Sequence, residues 1–149
     1  MAENNHELEI SRVFSAAVET VFDAWLDVEG IKQWMCPGEG VNVPNPIIDA
    51  KEGGAFDFTM AVGDQNLPHT GTYKIIDRPR KLQFTWLSPG TQGIETVVTL
   101  NFESLSDNET RLTLSHAFLP DQQESDNHKG GWIRILECLD KELSAIEAQ

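Results

Sequence analysis

His128-Lys-Gly-Gly-Trp-Ile-Arg-Ile-Leu-Glu-Cys-Leu-Asp-Lys-Glu-Leu-Ser-Ala-Ile146 decides the fold. Counted from Trp132, apolar residues return at Ile135, Leu136, Leu139, Leu143 and Ile146, and those steps draw one stripe down an α-helix. Arg134, Glu137, Asp140, Lys141 and Ser144 take the other faces. A long helix with one apolar stripe must lie on an extended apolar surface. Residues 40–118 read as the strands that supply it.

Those strands declare themselves by alternation. Phe56, Phe58 and Met60 alternate with Asp57 and Thr59, and His69 to Ile76 forms a run that ends at Asp77-Arg-Pro-Arg80. Leu82, Phe84 and Trp86 make a third set, and Val98, Leu100 and Phe102 a fourth. Leu112, Leu114, His116 and Phe118 are expected on one face of a fifth. Gly63-Asp-Gln-Asn66 and Ser106-Asp-Asn108 read as turns, Ser88 to Gly93 as a loose loop, and Pro44 and Pro46 demote Val41 to Ile48 to an edge strand. Short turns between alternating runs predict an antiparallel meander, not βαβ units. Before it, Glu7 to Phe14 reads as a first strand with Leu8, Ile10, Val13 and Phe14 as its apolar set. Ser15 to Leu26 follows as an amphipathic helix capped near Ser15, and Ile31 to Met35 as a second helical turn. The expected fold is α+β: a curved antiparallel sheet of about six to seven strands around a long C-terminal helix, with two short helices after the first strand.

At 149 residues the chain, 1–149, is expected to be one domain with one core. With 24 acidic against 11 basic residues its formal charge is −13, which repels phosphate backbones and anionic lipid. Nucleic acid is therefore not an expected partner, whereas a basic protein surface suits this charge. No apolar run approaches the roughly 20 residues of a membrane span. The N-terminus is acidic and polar, unlike a secretory leader. Cys36 and Cys138, far apart in the chain, make neither a disulfide framework nor a CxxC pair, so a reducing cytoplasmic setting is expected.

Chemistry-bearing residues are few. His116 is expected to point at the helix, placed either to hydrogen-bond a ligand or act as a base, or to be a core histidine satisfied by its neighbours. His128 precedes Trp132 by one helical turn, which brings it toward His116 near a pocket mouth. His69 is a third imidazole, but no metal-ligand spacing accompanies the three, and no metal or cofactor is expected. No carboxylate pair, phosphate loop or nucleophile motif is present in the sequence. Cys36 has only Lys32 nearby to activate it, and Glu39 acts against that. The large rings either fill the core or enclose a cavity.

Several phrases carry a resemblance: Arg12-Val-Phe-Ser-Ala-Ala-Val-Glu-Thr-Val-Phe-Asp-Ala-Trp25, Ile31-Lys-Gln-Trp34, Gly53-Gly-Ala-Phe56, Gly71-Thr-Tyr73, Arg78-Pro-Arg-Lys-Leu-Gln-Phe-Thr-Trp86, Thr110-Arg-Leu-Thr-Leu-Ser-His116, and Gly131-Trp132 opening the last helix. In these and in the order of elements the chain resembles the START-like, helix-grip (SRPBCC) superfamily, and within it the proteins similar to activators of heat-shock-protein-90 ATPase. The resemblance implies a Bet v-like sheet gripping the helix around a hydrophobic cavity. On that basis a small hydrophobic or amphipathic ligand is expected between sheet and helix. Trp34, Phe58, Tyr73, Trp86, His116 and Trp132 would form its wall, with His116 and Tyr73 orienting it. The superfamily also implies two alternatives. One is a protein-interaction module of the chaperone-cofactor kind, although the eukaryotic activators carry a separate chaperone-binding domain for which this length leaves no room. The other, given less weight, is a cyclase- or aromatase-type enzyme on a polycyclic substrate, with His116 as base. Monomer and homodimer stay open.

Overall fold

The structure, a computed structural model, describes residues 6–147, with side chains described as far as Ser144. The first residues of the leader reading, and the side chain of Ile146 at the foot of the helical stripe, lie outside that description. Strand β1 (His6–Phe14) leads to α1 (Val18–Ala24) and α2 (Val28–Trp34). Short strands β2 (Val41–Asn42), β3 (Ile47–Ile48), β4 (Ala55–Asp57), β5 (Met60–Val62) and β6 (Gln65–Leu67) follow. The longer β7 (Thr70–Asp77), β8 (Lys81–Trp86), β9 (Thr96–Ser106) and β10 (Glu109–Leu119) come next, and α3 (Gln122–Glu147) ends the described chain. Seven strands form one antiparallel sheet in the order β1-β10-β9-β8-β7-β4-β3, and β2-β5-β6 make a separate ribbon. This is the helix-grip architecture.

Register explains the buried face. Phe84 stands opposite Val98, Val98 opposite His116, and His116 opposite Leu8. One step along, Leu82, Leu100, Leu114 and Ile10 form a parallel row. Each row puts its side chains on the same side of the pleat, and α3 covers them with Trp132, Ile135, Leu136, Leu139 and Leu143, all buried. Gly71 lies opposite Phe56; a Cβ there would collide with the Thr85 carbonyl oxygen and stand 2.6 Å from the Phe56 ring, so only glycine lets these layers close. No helix among the described residues is long and apolar enough to cross a membrane.

Five local expectations are corrected. Helix α3 begins at Gln122, ahead of Gly130-Gly131, because Asp121 caps it: its carboxylate accepts the Glu124 N–H at 2.8 Å and its carbonyl the Ser125 N–H at 3.0 Å. The first cap belongs to Ala17, not Ser15, and uses no side-chain bond. The run from Ala55 to Met60 is two strands in different sheets. It breaks where the Thr59 hydroxyl donates to the Asp57 carboxylate (2.6 Å) and the Phe58 N–H to the His69 carbonyl (2.7 Å). Gly63, at φ +59°, turns the chain directly into the paired strand β6, where only a turn is expected from sequence. Finally, Phe118 faces outward: its φ of +69° marks an extra residue in β10 opposite β1, and the flip buries Leu119 in its place. In β1 plain alternation, with Leu8, Ile10 and Phe14 on the inner side, turns Val13 out and Arg12 in, where the guanidinium meets Asp140 of α3 at 2.7 Å.

Candidate functional site

A cavity of about 250 Å³ opens beside the first turns of α3. The helix contributes His128, Gly131, Trp132 and Ile135, one face at helical spacing. Met60 and Leu67, from the β5–β6 hairpin, close the opposite side together with His69. Trp86 ends β8 at the floor, and Ser88, Pro89 and Gly90 continue from it as a tight turn; Pro37 completes the rim. Gly131 faces the Pro37 ring across the rim, where a Cβ would stand 3.4 Å away, in close van der Waals contact.

Behind this wall runs a chain of hydrogen bonds whose direction is fixed. The Trp132 indole N–H donates to His116 Nδ1 at 3.0 Å. An indole N–H only donates, so the proton of the neutral His116 ring is on Nε2, which donates to the Thr96 hydroxyl at 2.7 Å. The hydroxyl in turn donates to the Trp86 carbonyl at 2.6 Å. His116 is 0% exposed, and burial, aided by repulsion from His128, pushes its pKa down to about 3. Both ring nitrogens are engaged, so His116 has no lone pair to offer as a base or to orient a ligand. Its work is to hold Trp132 against Trp86, whose rings meet at 5.1 Å.

Of the six expected wall residues, Trp86 and Trp132 face the cavity; Trp34, Phe58, Tyr73 and His116 are buried outside its wall. Trp34 packs edge-on to Trp25 at 4.7 Å. Phe58 and Tyr73 join Phe56, whose ring touches both and also Phe84, at 4.7 to 5.3 Å between centroids. Burial pushes the Tyr73 phenol up, away from ionisation. The space between sheet and helix that large rings were expected to enclose is largely filled by those rings, and the opening is displaced toward the helix's head.

His128 and His116 do approach, edge to face at 5.1 Å between ring centroids. His128 Nδ1–H donates to the Glu124 carbonyl at 2.8 Å, and His69 Nδ1–H to the Leu67 carbonyl at 2.9 Å. Burial holds His69 below the usual histidine range, partly offset by its bond to Leu67. Among the described residues no cluster of three His, Cys, Asp or Glu is arranged to hold a metal ion. The fold also brings together Cys36 and Cys138, distant in sequence: the Cys138 thiol reaches the Cys36 carbonyl at 3.8 Å, and burial, with Cys138 alongside, pushes the Cys36 thiol up to about 11. Leu67, Ser88 and Ile135 are wall residues the sequence did not single out, whereas Met60 stands among the apolar residues it weighed as core or cavity; Ile135 was findable, one turn below Trp132 and two below His128.

The family described as Activator of Hsp90 ATPase homolog 1-like protein matches residues 15–144. Among solved structures, the AHSA1 protein of Silicibacter pomeroyi is 30% identical with a TM-score of 0.81, over 94% of this chain and 99% of that one. CalU16 of Micromonospora echinospora is 25% identical with a TM-score of 0.69, over 91% of this chain and 74% of that one. An HSP90 activator from Plasmodium falciparum shares the fold at 23% identity and a TM-score of 0.74, over 93% and 96%. No curated protein matches the sequence.

Proposed function

The chain belongs to the Activator of Hsp90 ATPase homolog 1-like family, and from that premise we propose that it is a binding module whose cavity at the head of α3 takes a small hydrophobic or amphipathic molecule. The observation that carries this reading is the cavity itself, about 250 Å³ walled by two tryptophans and apolar side chains. Trp86 and Trp132 would supply stacking area and exclude water; Met60, Leu67 and Ile135 would set the shape. The setting we propose is the cytoplasm, where a reducing pool would keep the neighbouring Cys36 and Cys138 as thiols. The test is to fill the cavity. Leu67 stands on the short strand β6 and is only half-buried, so Leu67→Trp adds volume without disturbing the main sheet. Binding of whatever small molecule co-purifies from the host, read by native mass spectrometry, should disappear in that variant; equal occupancy in both proteins would refute the assignment.

A second reading is favoured by the names of the relatives more than by the cavity: a protein-interaction module of the chaperone-cofactor kind. The family description and the Plasmodium falciparum HSP90 activator support it, and the charge of −13 suits a basic partner surface. It calls for a salt-sensitive complex with an Hsp90-type chaperone and a faster chaperone ATPase, both retained in Leu67→Trp.

A further inference from the structure

This inference rests on the small-molecule reading and names the chemistry of the occupant. Two imidazoles stand in the cavity wall, and each is committed in the same way. A backbone carbonyl accepts and never donates, so His69 and His128 both carry a proton on Nδ1. Each ring, when neutral, therefore keeps a lone pair on Nε2, and neither Nε2 has a hydrogen-bond partner among the described residues. Two donors complement these acceptors. The Trp86 indole N–H is buried without a partner among the described residues, and the Ser88 hydroxyl, whose oxygen faces the Thr91 N–H, has no acceptor there for its own proton; both residues belong to the same wall. Buried polar groups left unpaired are uncommon and costly. Two buried donors and two imidazole lone pairs around one apolar cavity describe the complement of a ligand.

We infer that the cavity takes a ring compound bearing a hydroxyl, a phenol or a hydroxylated heteroaromatic, whose O–H is received by Nε2 of His69 or His128 while its ring lies against Trp86 and Trp132. A hydroxyl both donates and accepts, so one group answers an imidazole lone pair and the Ser88 or Trp86 donor together. A plain hydrocarbon leaves all four groups unpaired. An ether or ketone answers the donors and leaves the imidazoles facing an oxygen lone pair. A carboxylate does the same and adds a negative charge. A metal ion fits poorly, because two imidazoles fall short of the three protein ligands of a catalytic zinc site. His116 cannot be the third, with both nitrogens bonded to Trp132 and Thr96.

The test uses the full chain and three probes of one shape: 2-naphthol, 2-methoxynaphthalene and naphthalene, titrated calorimetrically at neutral pH. 2-Naphthol should bind at least tenfold more tightly than its methyl ether. In His69→Phe/His128→Phe that ratio should fall to near one, with the ether's own affinity retained. Should the double variant fail to fold, the imidazole nitrogens of the wild-type protein decide by NMR: 2-naphthol must shift an Nε2 resonance of His69 or His128, and the ether must not. Equal affinity for naphthol and ether overturns the inference while leaving the cavity reading standing. If none of the three binds, the cavity reading falls and takes the inference with it.

Discussion

The two ends of α3 are built to opposite specifications. Toward its foot, Leu139 and Leu143 are buried and Arg12 reaches across from β1 to Asp140. At its head the same helix carries two adjacent glycines and a histidine, and its packing partners stop short of filling the space. One continuous stripe thus divides into a half that holds the fold closed and a half that is available. Stability and receptivity can occupy one element because each needs only a few turns, and the apolar steps at the foot leave the head free to carry polar groups.

The sharpest way to break this comparison is at its boundary. Trp132→Ala removes a ring that belongs to both halves and leaves His116 Nδ1 without its donor. It should cost about 4 kcal/mol in chemical denaturation and abolish binding in the cavity. Leu139→Ala should cost about 3 kcal/mol, yet leave affinity per folded molecule unchanged. If it lowered affinity as well, the division into halves would be wrong. A pH titration probes the head alone. His116 has a folded pKa of about 3 against an ordinary value of 6.5, so the unfolded chain binds its proton first. Its contribution is fully present above about pH 6.5 and is lost as pH falls toward 3. Over that window stability should drop by about 1.4 kcal/mol per pH unit on account of this one proton. His116→Gln should flatten the limb by that amount, and an unchanged slope would deny His116 its buried, neutral state. His69, depressed in the same direction, adds to the same limb. The smallest effect belongs to the foot's surface. Asp140→Asn should cost less than about 1 kcal/mol, and the loss should shrink further in high salt because both partners are partly exposed.

The fold was legible because its signals are local and repetitive. The stripe from Trp132 to Leu143 and the alternation of Leu82, Phe84 and Trp86 survive intact, since each follows from one period and one buried face. The head of α3 was harder to place. Gly130-Gly131 look like a beginning, and the real beginning, Asp121-Gln-Gln-Glu124, has the spacing of a capping box that could have been used. The break between β4 and β5 left no mark in the alternation of Phe56, Phe58 and Met60, because different partner strands impose it. The site was the least legible part. Which rings face a cavity and which fill a core depends on pairings across the chain: His116 finds Thr96 and Trp132 at separations of 20 and 16 residues. No periodicity encodes that a ring's two nitrogens are already spoken for.

The chain of bonds from Trp132 through His116 and Thr96 to Trp86 runs one way only, and it fixes an angle. Leucines and isoleucines of a stripe would tolerate a helix rotated by one residue or slid by a turn, for an aliphatic contact has no preferred direction. A donor aimed at one nitrogen has one. Turn α3 by a single residue and the indole N–H, imidazole Nδ1, imidazole Nε2–H and Thr96 hydroxyl no longer meet in sequence. The relay therefore acts as the keyway of a shaft: it contributes little to how firmly the helix is gripped, and decides at which setting the grip closes.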